Sequence, residues 1–246
     1  DDNGNQYMAL TSVLSAGDGA GELGLSEGGA AQPSSVMDLV ESTFDGFNRL
    51  TKYAVTKGGE RNVTEYVYNG DGLRTRKTVS GTQTETQSAE YVYDGQYVVS
   101  ETMGSSVQAY IMGLNYIARE GGEGTGYYHY NAHGDVVQLT DASGAVQNRY
   151  EYGIFGETIL ETEETANSIR YSGEFYDASA GLYYLRARYY EPENGRFISE
   201  DSYAGEADNP SSLNRYAYCA NDPVNYADPS GHSPQSNIKA AYDAWK

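Results

Sequence analysis

A tyrosine-centred phrase that recurs along the chain constrains its fold more than any other feature. The phrase reads aromatic, any residue, aromatic, then a polar turn with Gly, then alternating polar and β-branched residues. Tyr66-Val67-Tyr68-Asn69-Gly70-Asp71-Gly72-Leu73 is one copy, and Tyr91-Val92-Tyr93-Asp94-Gly95 is another. Tyr128-His129-Tyr130-Asn131-Ala132-His133-Gly134-Asp135 and Tyr150-Glu151-Tyr152-Gly153-Ile154-Phe155-Gly156 repeat it, with Phe44-Asp45-Gly46-Phe47-Asn48-Arg49-Leu50 as a shortened form. Self-similarity every few tens of residues marks a stack of supersecondary units, not a single-core enzyme fold.

The physics of one copy is simple. Aromatics at i and i+2 share a face of a strand. Asn-Gly, Asp-Gly and His-Gly tolerate positive φ, so a tight hairpin is expected there. The segment after the turn, such as Asp135-Val136-Val137-Gln138-Leu139-Thr140, reads as the return strand. One hairpin cannot bury its aromatic face alone, so each copy must pack on the next. The tyrosines therefore read first as structural. A surface on which some of the same rings stack against sugars is the second reading.

Composition agrees and excludes. The chain has 29 Gly and 25 Tyr with little Leu by comparison, which argues against a helical bundle. A net charge of −19 argues against a nucleic-acid partner, because phosphate recognition needs a basic patch. No apolar run reaches transmembrane length. No targeting signal is read at Asp1-Asp2-Asn3-Gly4, and the chain is expected to be a piece of something longer. Cys219 is the single cysteine, so no internal disulfide can form.

Four regions are expected. Residues 1–40, rich in Gly, Ala and Ser, read as a linker or poorly ordered segment. Residues 41–160 carry the hairpin repeats. Residues 161–232 change character: Gly181-Leu182-Tyr183-Tyr184-Leu185-Arg186-Ala187-Arg188-Tyr189-Tyr190 is apolar on both faces, as a strand buried on both sides would be. Residues 204–235 within and beyond it read as irregular coil. Residues 233–246 begin a further region, with weak helical character after Asn237.

Several phrases in this third region occur in a fixed order. They are Tyr171-Ser172-Gly173-Glu174-Phe175-Tyr176-Asp177, the Gly181–Tyr190 run, and Gly195-Arg196-Phe197-Ile198-Ser199-Glu200-Asp201. Asn214-Arg215-Tyr216-Ala217-Tyr218, Asn221-Asp222-Pro223-Val224-Asn225 and Asp228-Pro229-Ser230-Gly231 follow. Together with the upstream hairpins, residues 41–232 resemble Rhs and YD-repeat proteins, including the Rhs repeat-associated core. The resemblance implies an all-β fold: antiparallel hairpins spiralling into part of a hollow shell, closed by a mostly irregular C-terminal plug. It implies a secreted or cell-surface bacterial protein that encloses and presents a C-terminal effector. The implied partners are that effector, the remaining shell repeats and a secretion-system component. No cofactor and no metal is implied. Cell-surface adhesion or glycan binding is the alternative.

In that family the chain can cut itself just after the Asp-Pro-x-Gly motif, with chemistry similar to that of aspartic proteases. Transfer of that role makes Asp201 the first catalytic carboxylate, and the cleavage region Asp228, Pro229, Gly231 and His232. The second carboxylate is expected near 213–217, where Leu213-Asn214-Arg215-Tyr216-Ala217 offers none; Asp208, Asp222 and Asp228 are the substitutes. Glu200 stands where cleaving relatives often carry Arg, and His232 where Leu is usual. At most, the chemistry is a single-turnover self-cleavage. Without such a role, Asp201 and Asp228 are turn carboxylates that accept backbone N–H groups.

Two weaker patterns complete the reading. Gly24-Leu25-Ser26-Glu27-Gly28 has the spacing of a nucleophile elbow but lacks its strand and helix. His129 and His133 are four apart, a zinc spacing only on a helix.

Overall fold

The computed structural model describes residues 8–11, 38–206, 208, 210–232 and 234–236. The linker expected over 1–40 lies mostly outside them, as do Gly24–Gly28 and the helical tail after Asn237. Thirteen strands form one antiparallel meander in which each pairs with its neighbours in sequence. They are β1 (Met8–Thr11), β2 (Asp38–Phe44), β3 (Leu50–Lys57), β4 (Glu60–Tyr68), β5 (Arg74–Gly81), β6 (Gln87–Asp94) and β7 (Tyr97–Met103). The meander continues through β8 (Ser106–Met112), β9 (Tyr116–Gly121), β10 (Gly124–Tyr130), β11 (Val136–Thr140), β12 (Val146–Tyr152) and β13 (Thr158–Glu163).

The hairpins are of two kinds. Lys57 pairs with Glu60, and Asp94 with Tyr97, across two-residue turns whose Gly58, Gly59 and Gly95 have positive φ. These are the tight turns the sequence leads one to expect. The full phrase turns differently. At Asn69-Gly70-Asp71-Gly72 it is Gly72, not Gly70, that has positive φ (82°). The Asn69 carboxamide accepts the N–H groups of Asp71 (3.0 Å) and Leu73 (2.9 Å). Asp45, Asn131 and Asp141 cap their loops in the same way. The polar residue after the second aromatic is thus a backbone cap, an Asx turn built into a longer loop. A register shift marks the second aromatic whether the turn after it is capped or not, at Val67/Tyr68, Val92/Tyr93, His129/Tyr130 and Glu151/Tyr152. Such bulges bend the sheet and strengthen its twist.

A second sheet covers the tyrosine face of the first. It comprises β14 (Phe175–Asp177), β15 (Leu182–Leu185), β16 (Arg188–Glu191) and β17 (Arg196–Phe197) in sequence order. Phe175 meets Tyr91, Tyr110 and Tyr116 edge-on, with ring centroids 6.2, 5.5 and 6.0 Å away, and Tyr66 lies 4.8 Å from Tyr189. All of β15 is buried. Its Leu182 and Tyr184 face the meander, while Tyr183 and Leu185 enter a separate cluster with Tyr171, Tyr190, Phe197 and Tyr218. The strand is sandwiched, as its two apolar faces require. Beyond residue 197 the chain is largely irregular, broken by 3-10 turns and by the short pair β18 (Tyr226–Ala227) and β19 (Gln235–Ser236).

Candidate functional site: the clamped Asp-Pro-Ser-Gly segment

A buried charge cluster fixes the second sheet on the first. Asp177, at the end of β14, is fully enclosed. It receives Arg74 Nη1 at 3.4 Å, Lys77 Nζ at 3.2 Å, Tyr66 Oη at 2.9 Å and Ser179 Oγ at 2.7 Å. Burial alone would raise its pKa, but Lys77 and Arg74, with the hydrogen bonds of Ser179 and Tyr66, hold it below the usual carboxylate range. Arg74 also lies over the rings of Tyr91 and Tyr184, each 4.5 Å away. The hairpin of β15 and β16 is therefore seated at a defined position, and its tip carries the site.

Arg188 opens β16 and is 4 % exposed. Its Nη2 lies 2.6 Å from Asp201 Oδ2 and 3.8 Å from Asp228 Oδ2. Its Nε donates to the Gly231 carbonyl, and its Nη1 donates to the Arg215 carbonyl at 3.0 Å. The guanidinium stacks on Phe197 at 3.6 Å. Burial pulls it below its ordinary pKa range; Asp201, then Asp228, oppose that shift. Two carboxylates and two peptide carbonyls thus converge on one cation.

The backbone around the carboxylates is fixed in turn. The Asp201 N–H donates to the Arg215 carbonyl (3.0 Å), and Arg215 Nε donates back to the Asp201 carbonyl (2.8 Å). Glu200, which stands in place of the family's Arg, pairs with Arg215 from the same strand exit. Asp228 Oδ1 accepts Ser230 Oγ (3.1 Å) and the His232 N–H (3.2 Å). His232 Nδ1 lies 3.4 Å from Asp201 Oδ1. The Gly231–His232 peptide is therefore held at both ends, its oxygen by Arg188 and its N–H by Asp228. Gly231 has φ +71°, and a Cβ there would lie 2.2 Å from the Leu185 carbonyl oxygen, so only glycine fits.

Of the candidates named from sequence, the structure brings Asp201, Asp228, Gly231 and His232 together. The expected second position at 213–217 lies beside Asp201 too, but contributes Arg215 and its backbone, not a carboxylate. Asp222 is elsewhere, binding the Asn225 carboxamide at 3.0 Å within its own turn. Asp208 is exposed on an irregular stretch. Arg188 was missed: it sits 13 positions before Asp201, inside a run that reads as buried strand. A cationic side chain on an otherwise apolar double-faced strand was the available signal. His129 and His133 do not converge; His129 meets Thr140, and His133 meets Asp135. Among the described residues no three His, Cys, Asp or Glu side chains cluster as a metal would need. Among them, also, no helix is long and apolar enough to cross a membrane.

Comparison with known proteins matches these features. The Teneurin YD-shell family model matches residues 117–224. The tRNA3(Ser)-specific nuclease WapA of Bacillus spizizenii is 40 % identical over 216 residues, covering 82 % of this chain and 9 % of that protein. Toxin protein Tse5 of Pseudomonas aeruginosa is 35 % identical over 106 residues, or 43 % of this chain and 8 % of Tse5. Among solved structures, TcdB2-TccC3 superposes with a TM-score of 0.62 at 25 % identity, over 78 % of this chain and 10 % of that one. The chain thus spans about a tenth or less of the length of these relatives. With the repeated hairpin phrase, the all-β meander and its covering core in agreement, the chain belongs to the Rhs/YD-repeat shell proteins.

Proposed function

We propose that this chain is a shell and plug segment of a secreted or cell-surface bacterial toxin, enclosing and presenting an effector that continues past the motif, and that it cuts itself there. The carrying observation is the clamped Gly231–His232 peptide beside two carboxylates and a buried arginine. Asp201, the less buried carboxylate, takes a proton from water, whose oxygen adds to the Gly231 carbonyl carbon. The resulting oxyanion is stabilised by Arg188, already hydrogen-bonded to that oxygen. The C–N bond breaks, the proton passes from Asp201 to the His232 nitrogen, and a carboxylic acid and an amine result.

The relatives support a scaffold role. They carry different names, a tRNA nuclease and a toxin, yet align with 82 % and 43 % of this chain. Sugar binding through exposed rings has less support, because among the described tyrosines only Tyr97, Tyr127, Tyr203 and Tyr226 are exposed.

Intact mass of the purified 246-residue protein beside Asp201→Asn and Asp228→Asn tests the cleavage. Loss of everything after Gly231 in the unaltered chain, with both variants uncut, is expected. An uncut chain throughout would leave an inert enclosing scaffold.

A further inference from the structure

The tip of the β15–β16 hairpin does more than supply Arg188. Leu185 pairs with Arg188, so Arg186 and Ala187 form a two-residue turn, with Arg186 at φ +54°. A side chain in that region is strained and persists only where its surroundings fix it. Each of the three tip residues meets a successive carbonyl of the motif. Arg186 Nη1 donates to Pro229 O at 2.8 Å, the Ala187 N–H to Ser230 O at 3.3 Å, and Arg188 Nε to Gly231 O. Arg186 is in turn held by the carboxylate of Glu174, 6 % exposed, from the residue just before β14. Its Nε reaches the Gln96 carbonyl (3.4 Å) and its guanidinium lies 5.7 Å from the Tyr97 ring, both at the β6–β7 turn.

The self-cleavage step above uses neither Glu174 nor Arg186, yet both are charged and out of water. A desolvated ion pair is weak evidence of stabilisation, since an apolar pair of similar volume often serves as well. Its geometric effect is what distinguishes it. A sliding motif segment would carry the Gly231 carbonyl off Arg188, and the Pro229 contact prevents sliding. We propose that Arg186, oriented by Glu174, is a positioning residue that sets the register of residues 229–231 so that the Gly231 carbonyl meets Arg188. This rests on the self-cleavage reading. It also joins the site to the shell: the same guanidinium touches the β6–β7 turn, so the cleavage segment is in register only when the core hairpin is seated on the meander.

Two measurements on the 246-residue protein test it. The first is the rate at which the mass beyond Gly231 is lost after refolding. Arg186→Met should slow it about tenfold or more, the scale of a sub-ångström misplacement, with Arg186→Lys recovering part of the rate. Because Arg186→Met leaves Glu174 buried and unpaired, Arg186→Met/Glu174→Leu is the decisive variant. It should melt close to the unaltered chain and still cleave slowly; cleavage at the unaltered rate would overturn the proposal. The second measurement is amide exchange in the uncut Asp201→Asn background. Adding the double substitution should raise exchange of Ala187, Gly231 and His232 severalfold while β14 and β17 keep their protection. Unchanged exchange at those amides would overturn the proposal even if no form of the chain cleaves, an outcome that by itself removes the self-cleavage reading.

Discussion

In the four copies that read Tyr-x-Tyr, the second ring carries a hydroxyl for a reason that repeats. Tyr93 donates its hydroxyl to the Arg74 carbonyl (2.7 Å), Tyr130 to that of Tyr116 (2.7 Å), Tyr152 to that of Val136 (2.9 Å), and Tyr68 to that of Leu50. Each acceptor is the first residue of the neighbouring strand. Each of these four rings also sits at a register shift, so bulge and tyrosine recur together. Tyr130→Phe should therefore cost about 1 kcal/mol in urea unfolding, the net worth of one hydrogen bond. Tyr127→Phe, on an exposed neighbour, should cost nothing measurable. Asp177 is a harder case. Asp177→Ala strands Arg74 and Lys77, and breaking a buried pair from one side costs about 3–5 kcal/mol. Adding Arg74→Met should recover much of that loss. The sign with pH follows from the lowered pKa of Asp177: its contribution is present above the unfolded carboxylate value and vanishes as pH falls through the folded one. The stability of the Asp177→Ala, Arg74→Met double variant should consequently fall less steeply with acid than that of the unaltered chain.

At the scale of elements, one loop of the meander holds the C-terminal region by a titrating group. His133 Nδ1 lies 2.7 Å from Asp135 Oδ1, and Nε2 lies 2.7 Å from the Pro223 carbonyl. Both partners are acceptors, so both ring nitrogens must carry protons for both bonds to exist. The ring stacks on Tyr171 at 5.1 Å, and Asp135 is itself held by Asn131 and the Ser172 N–H. Burial pulls the histidine pKa down, but the hydrogen bond and charge of Asp135 outweigh it and leave the value above 6.5. A raised histidine contributes fully below its unfolded value, and that contribution is lost as pH rises through the folded one. Amide exchange near residues 223–226 should accelerate above pH 6.5 beyond its intrinsic base dependence. His133→Gln should remove that excess; a pH-independent protection factor in the unaltered chain would refute the latch. These elements also mark what sequence could tell. Period-two aromatics announce a strand wherever they occur, and the two apolar faces of β15 announce a sandwiched one. The loop after the phrase was less legible, because Asn-Gly names a tight turn while the cap geometry that lengthens it depends on side-chain bonds to later amides. The site was half legible. Asp201 and Asp228 stood in recognisable phrases, whereas Arg186, Arg188 and Glu174 matter through contacts spanning 12 to 43 positions, which no local pattern encodes.

For the whole molecule, the orientation of the tyrosines is what makes a meander into a wall. An open antiparallel sheet normally presents one face to a core and one to water. Here the core-side rings Tyr53, Tyr66, Tyr91, Tyr110, Tyr116, Tyr128 and Tyr150 are all buried, while Val67, Val92, Ile111 and Ile117, each next to one of them on its strand, remain exposed. The aromatic face is therefore the structural interior. The segment from Phe175 to Ile198 occupies it, and the clamped motif is carried by that segment. The packing has a direct alkaline signature. Burial pushes the phenols of Tyr66, Tyr91, Tyr110, Tyr128, Tyr183, Tyr189 and Tyr218 well above 10. Phenols kept neutral in the fold but free to ionise in the unfolded chain destabilise the fold once pH passes about 10, so stability should fall steeply from there upward. In a titration followed by phenolate absorbance, most of the change should arrive in one cooperative step that coincides with loss of β-sheet circular dichroism. A gradual rise completed before the sheet is lost would mean that the rings face solvent, and would return the chain to an adhesive surface in place of a wall around a plug.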